Sequence, residues 1–203
     1  MNKMMKKVLI IIGIIVCTID LSAQNDKKNL IGTHFSMGAS ALGYNKFVLG
    51  GESYHTKYYY TIGLDYSKQL SKRWDICSGY EYSSNSMSVT NHDLPEMAPR
   101  KAFLRLVTIP VQFKYHLGKV VDLNGGLLFN LLSSLKKETW APLTFQSENI
   151  GLLLGIGLGI GLKHEFQSGV ILSLNPYARW NGNVYGKYVC IQAGASLGVG
   201  YRF

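Results

Sequence analysis

The segment that most constrains this chain lies between Ile150 and Leu162. Leu152, Leu154, Ile156, Leu158, Ile160 and Leu162 alternate there with Leu153, Gly155, Gly157, Gly159 and Gly161. Side chains two apart share one face of a β-strand, so the pattern predicts a strand with one aliphatic face and one nearly bare face. The glycines do not form a nucleotide-binding loop. A G-x-G-x-x-G motif started at Gly155 ends on Ile160, and started at Gly157 it ends on Leu162. The run is also too short for a glycine-zipper membrane helix, which needs about 20 apolar residues.

The same period recurs along the chain. Val121, Leu123, Gly125, Leu127, Phe129 and Leu131 share a face opposite Asp122, Asn124, Gly126, Leu128 and Asn130. Tyr58 to Leu70 and Trp74 onward repeat the pattern across the polar Ser71-Lys72-Arg73, which reads as a hairpin. Val107 to Leu117, Gly169 to Trp180 and Val189 to Phe203 add three more strands, and Ile31, Thr33, Phe35, Met37 and Ala39 outline a first. The total is eight strands. Long links at Leu42 to Lys57, Ser84 to Arg100, Ser133 to Asn149 and Asn181 to Lys187 alternate with short turns at Ser71-Lys72-Arg73, Gly118-Lys119 and near His164-Glu165. The expectation is an all-β fold: an eight-stranded antiparallel up-and-down transmembrane β-barrel, with long loops at one end and tight turns at the other.

The two strand faces indicate which solvent each one meets. A soluble barrel needs large apolar residues inside, yet the second face carries Gly, Ser, Asn, Asp and Arg. That set fills a narrow polar lumen and leaves the aliphatic face for lipid. Asp65, Asp75, Glu81 and Asp122 oppose Lys114, Arg179 and Arg202 on the polar face. Buried charges must be paired, so these residues are expected to form a salt-bridged plug, with an ion path as the competing reading. Tyr58, Tyr60, Tyr80, Tyr82 and Trp180 toward one end, and Tyr66, Trp74, Tyr115, Tyr201 and Phe203 toward the other, are expected to form interfacial girdles.

The N-terminus points to export. Lys3, Lys6 and Lys7 precede an apolar run from Val8 to Ile19, and Leu21-Ser22-Ala23 precedes Gln24. This is the layout of a secretory signal peptide cleaved between Ala23 and Gln24, leaving a barrel domain of residues 24–203. Val16 before Cys17 does not suit lipoprotein processing. Cleavage removes three lysines and Asp20, taking the formal charge from +9 to +7. For an exported protein that excess suits lipid phosphates and lipopolysaccharide, and no nucleic-acid partner is expected. Cys77 and Cys190 remain, on strands that are not neighbours, and are expected to stay unpaired.

Ile109-Pro110-Val111 running into Lys114-Tyr115, the Gly118 turn, Leu123-Asn124-Gly125-Gly126 and Gly79-Tyr80 carry a family resemblance. From Ile31 to Phe203 the chain resembles the bacterial outer-membrane β-barrel domain family, of the porin-family or PorT-like kind, related in architecture to OmpA-type barrels. Thr108 stands where this family usually has an acidic residue before Ile-Pro. The resemblance implies an integral location in a Gram-negative outer membrane with both termini periplasmic. It also implies that Leu197, Val199, Tyr201 and Phe203 form the C-terminal signal read by the barrel-assembly machinery. It carries no chemistry of its own.

His164-Glu165 does not continue into H-E-x-x-H, and G-x-S-x-G is absent. His92-Asp93 lies near Ser84, Ser86 and Ser88, so a hydrolase at the outer rim is the weakest of three readings. The first is a non-enzymatic barrel with a structural envelope role or with loops that bind an extracellular or periplasmic partner. The second is a narrow channel or a transport or secretion accessory. No cofactor, metal or catalytic residue is expected.

Overall fold

The computed structural model describes residues 28–44, 52–91, 99–138, 145–149, 153–184 and 188–203. The export segment with its Ala23–Gln24 junction, and His92, lie outside the described residues. Nine strands run in order: β1 (Asn29–Tyr44), β2 (Glu52–Gln69), β3 (Trp74–Asn91), β4 (Arg100–His116), β5 (Val121–Glu138), β6 (Phe145–Asn149), β7 (Leu153–Glu165), β8 (Val170–Val184) and β9 (Tyr188–Arg202). Eight of them form a closed antiparallel ring, in which β5 pairs with β7 and β9 returns to β1. The short β6 stands outside the ring, on the Ser134–Glu138 end of β5.

Closure leaves no ring edge for stray pairing. Phe35 opposes Leu197 and Thr33 opposes Val199 across the β1–β9 seam. Asn29 and Phe203 exchange backbone hydrogen bonds of 3.0 and 2.8 Å, which brings the start of β1 and the end of β9 to the end that carries the tight turns. In lipid each unpaired backbone group would cost several kcal/mol, so this seam is a condition for spanning.

Side chains alternate around the ring as the period predicts. Ile62, Leu64, Leu158, Leu197 and Val199 point outward and are 47–64% exposed apart from Leu158 at 69%, while Thr61, Glu81, Asn130 and Gln192 point inward and are at most 2% exposed. The outward apolar runs Tyr58–Tyr66, Trp74–Tyr82 and Val107–Tyr115 are each nine residues long. At a rise of about 3.3 Å and a tilt of about 45°, such a run stands roughly 21 Å tall. That is close to the ~25 Å apolar band of a membrane barrel. Trp74 packs on Tyr115 with ring centroids 4.9 Å apart at the turn end. Tyr80 departs from the girdle expectation: it pairs with Leu64, inside the apolar band rather than at its rim.

Past Tyr82 the polarity of the wall reverses. On β3, Ser84, Ser86, Ser88 and Thr90 now face outward and Met87 and Val89 face inward. On β4, Lys101 and Arg105 face outward while Ala102, Leu104 and Leu106 are buried. These inward residues, with Leu42 and Cys190, form a small apolar core inside the loop end of the barrel. The lower wall is built for lipid outside and polarity inside, and the upper wall for water outside and an apolar filling.

The expected strand limits need correcting for this reason. The links assigned to Leu42–Lys57 and Ser84–Arg100 are largely strand: β2 begins at Glu52 and β3 runs to Asn91. The link assigned to Ser133–Asn149 contains the end of β5 and all of β6. The turn expected near His164-Glu165 lies later, because His164 and Glu165 still pair with Leu172 and Ile171. The chain reverses between Phe166 and Val170, where Gly169 takes φ +87°, a conformation that disfavours any residue with a Cβ.

Candidate functional site: the barrel lumen

The inward face of β3 is a ruler for the lumen. From the turn end it presents Asp75, Cys77, Gly79, Glu81, Ser83, Asn85, Met87 and Val89. The order is charged, then neutral polar, then apolar.

Near the turn end, His116 sits between two carboxylates. Its Nδ1 is 2.6 Å from Asp122 Oδ1 and its Nε2 is 3.0 Å from Asp75 Oδ1. Lys163 Nζ approaches the same Asp122 oxygen at 3.1 Å. At the rim, Arg202 Nε lies 3.3 Å from Glu165 Oε1.

Deeper in, His34 repeats the arrangement. Its Nδ1 is 2.6 Å from Asp65 Oδ2 and its Nε2 is 3.5 Å from Glu81 Oε1. Gly63 makes room for this ring, since a Cβ built there would lie 2.4 Å from His34 Cε1. Arg179 clasps Glu81 with both terminal nitrogens; Nη2 donates to Oε1 at 3.0 Å and Nη1 donates to Oε2. The Arg179 guanidinium also lies 4.4 Å from the centroid of the Tyr177 ring, whose hydroxyl accepts from Tyr59 at 2.8 Å. A planar fork on a carboxylate with an aromatic face behind it suits arginine and not lysine.

Above this pair, neutral groups take over. Asn181 Nδ2 donates to Gln192 Oε1 at 2.9 Å, and Gln192 Nε2 donates to Asn85 Oδ1 at 2.8 Å. Asn85 Nδ2 donates to the Leu104 carbonyl, and Asn130 Nδ2 to the Asn181 carbonyl. The apolar core of the loop end begins directly beyond this layer.

A cavity of about 120 Å³ runs through the charged half, lined by His34, Asp65, Asp75, Lys114, Asp122 and Lys163 among others. It reaches the turn end at Leu30, Gly200 and Arg202. Four carboxylates (Asp65, Asp75, Glu81 and Asp122) face three fixed cations (Lys114, Lys163 and Arg179), and each histidine lies between two of the acids. A proton on one imidazole neutralises the set, which limits the cost of burying it. His34, Asp65 and Glu81 bring potential metal-ligand atoms within 4.8 Å of one another. Arg179 already holds both Glu81 oxygens, so this is a salt-bridged cluster rather than a free donor set.

All seven residues named from the sequence as a lumen network are placed on the inner wall, with Arg202 at its rim. The sequence reading missed His34, His116 and Lys163, which link the charges. The signal was available for His34 and His116, since both sit on the inward phase of their strands. Leu197, Val199, Tyr201 and Phe203 all face outward, 47–64% exposed. Ser84, Ser86 and Ser88 lie on an outer strand face, and no histidine–carboxylate pair stands beside them among the described residues.

No protein-family model matches the chain, and no curated protein sequence matches it. Solved structures do. One is Ail, the attachment invasion locus protein of Yersinia pestis, in complex with the heparin analogue sucrose octasulfate. It is 12% identical, with a TM-score of 0.53 over 87% of this chain and 99% of that one. Another is Neisserial surface protein A, 10% identical, with a TM-score of 0.53 over 86% and 97%. The chain has the fold of the small eight-stranded outer-membrane β-barrels.

Proposed function

We propose that this protein is an integral, non-enzymatic outer-membrane barrel with a plugged lumen, working through the surface it presents at its loop end. The observation that carries this reading is the filling of the lumen. The Arg179–Glu81 clasp, the Asn85–Gln192–Asn181 layer and the apolar core from Leu42 to Cys190 follow one another across it. An ion would have to cross a salt bridge, an amide layer and an apolar zone in turn, and each is a barrier. The turn end with both termini is periplasmic in this reading, and the mature chain begins at Gln24. The strand from Leu197 to Phe203 is the segment presented to the assembly machinery. The likeness to Ail, a protein solved with a sulfated ligand, supports a binding role for the exposed end.

Planar-bilayer recording of the refolded mature protein tests this. The expected trace shows no steady conductance, and a stable narrow channel would favour the transport reading. N-terminal sequencing of protein taken from membranes should begin at Gln24.

A further inference from the structure

We infer that His34 is a proton-binding site within the lumen: between Asp65 and Glu81 it stands as an imidazolium, and it exchanges its proton with the turn-end side alone. That this side is the periplasm rests on the membrane reading above; the charge state of the ring does not.

Asp65 Oδ2 lies 2.6 Å from His34 Nδ1. An ionised carboxylate only accepts, so Nδ1 carries a proton. A neutral ring would then turn the bare lone pair of Nε2 toward Glu81 Oε1, 3.5 Å away, and that oxygen is an acceptor too. Nε2 is buried with no hydrogen-bond partner among the described residues, on a side chain that is 9% exposed. A second proton, on Nε2, turns this contact from repulsion into attraction.

Local charge tells the two lumen histidines apart. Around His34 stand two carboxylates, Asp65 and Glu81, and one cation, Arg179. Its β9 partner is the uncharged Gly198, and Tyr59 and Tyr177, behind Arg179, are phenols bonded to each other at 2.8 Å. This group is one positive charge short. His116 also lies between two carboxylates, Asp75 and Asp122. There, however, Lys114 pairs in register with Asp75, and Lys163 Nζ is 3.1 Å from Asp122. Lys163 Nζ is also 3.0 Å from His116 Nδ1, where it would repel an imidazolium. The His116 group is balanced with a neutral ring, and the His34 group is balanced only with a charged one.

Access is one-sided. His34 and Asp65 line the cavity that reaches the turn end at Leu30, Gly200 and Arg202. Asp65, whose side chain is 35% exposed, keeps the site in contact with water there. On the far side the Arg179–Glu81 clasp and the Asn85–Gln192–Asn181 layer close the lumen.

The test uses the whole mature barrel with isotope-labelled histidine in nanodiscs. Heat-modifiable gel mobility verifies insertion first. A barrel that folds in detergent but does not insert would count against the membrane reading alone, because the same measurements run in detergent. Near neutral pH, the imidazole resonance lost in His34→Gln should show both ring nitrogens protonated, and the one lost in His116→Gln a neutral ring. Urea unfolding is then followed as pH rises. A histidine in the unfolded chain titrates at about 6.5. Above that, unfolding releases the proton that the folded site holds, so rising pH favours the unfolded state. The wild-type folding equilibrium constant should fall, relative to His34→Gln, by up to about ten-fold per pH unit. Asp65→Asn balances the local charge with His34 in place, so it should flatten this dependence, and it replaces His34→Gln if that variant does not fold. His116→Gln should keep the wild-type slope. The inference is overturned if the His34 ring is neutral near neutral pH, if wild type and Asp65→Asn share one pH dependence, or if His116→Gln is the variant that flattens it.

Discussion

Replacing Arg179 with methionine keeps the length of the side chain and removes its fork. Glu81, 2% exposed, then keeps the His34 imidazole beside it, with Nε2 at 3.5 Å, and loses its guanidinium partner. Breaking a buried ion pair from one side costs about 3–5 kcal/mol, because the remaining charge stays buried without its partner. The partial cover from His34 places the expected loss near about 3 kcal/mol. Glu81→Gln in the same chain removes the stranded charge, so the double variant should recover much of that loss. Urea titration of the barrel in lipid, followed by tryptophan fluorescence and by heat-modifiable mobility, measures each difference. The reasoning is refuted if Arg179→Met unfolds within about 0.5 kcal/mol of wild type, since the clasp would then be solvated and the lumen open.

Other substitutions probe other parts of the wall. Val199→Arg puts a charge on the lipid face at a cost of about 2–4 kcal/mol near the midplane, whereas Arg202→Ala removes only a rim contact to Glu165. Membrane fractions should show folded Arg202→Ala and depleted Val199→Arg, and equal assembly would mean that the two faces of β9 are assigned the wrong way round. Gly63→Leu drives a side chain into the His34 ring and should lower the urea midpoint clearly, while Gly118→Ala, which meets nothing within 4 Å, should not. Cys77 and Cys190 are both free and buried. A maleimide should label them only in urea, and gel mobility should be the same with and without reductant; labelling of the folded barrel would place a thiol on the surface.

Much of this architecture can be read from period two alone. An outward aliphatic face and an inward face of Gly, Asn and charged residues are sufficient to specify a membrane barrel, and β5, β7 and β9 fall close to where the alternation puts them. The upper halves of β2, β3 and β4 were harder to read for a physical reason. Above Tyr82 the alternation continues with its polarity reversed, so Ser84 to Thr90 resembles a polar loop unless the wall is known to leave the lipid. The lumen charges were legible as residues but not as partners. Glu81 and Arg179 are 98 positions apart, and ring closure brings them together. His34 and His116 are legible as inward strand residues, but the pair of carboxylates around each comes from other strands and is set by ring closure.

The polarity reversal along β3 is the feature on which the membrane assignment depends most directly. Nitroxide side chains placed singly from Trp74 to Thr90, in a Cys77→Ser, Cys190→Ser background in lipid bilayers, report it through relaxation by oxygen and by a water-soluble nickel chelate. Outward positions from Trp74 to Tyr82 should favour oxygen, those from Ser84 to Thr90 should favour the chelate, and inward positions 83 to 89 should be shielded from both. A profile with no switch between Tyr82 and Ser84, or with Met87 and Val89 open to the chelate, would contradict the account.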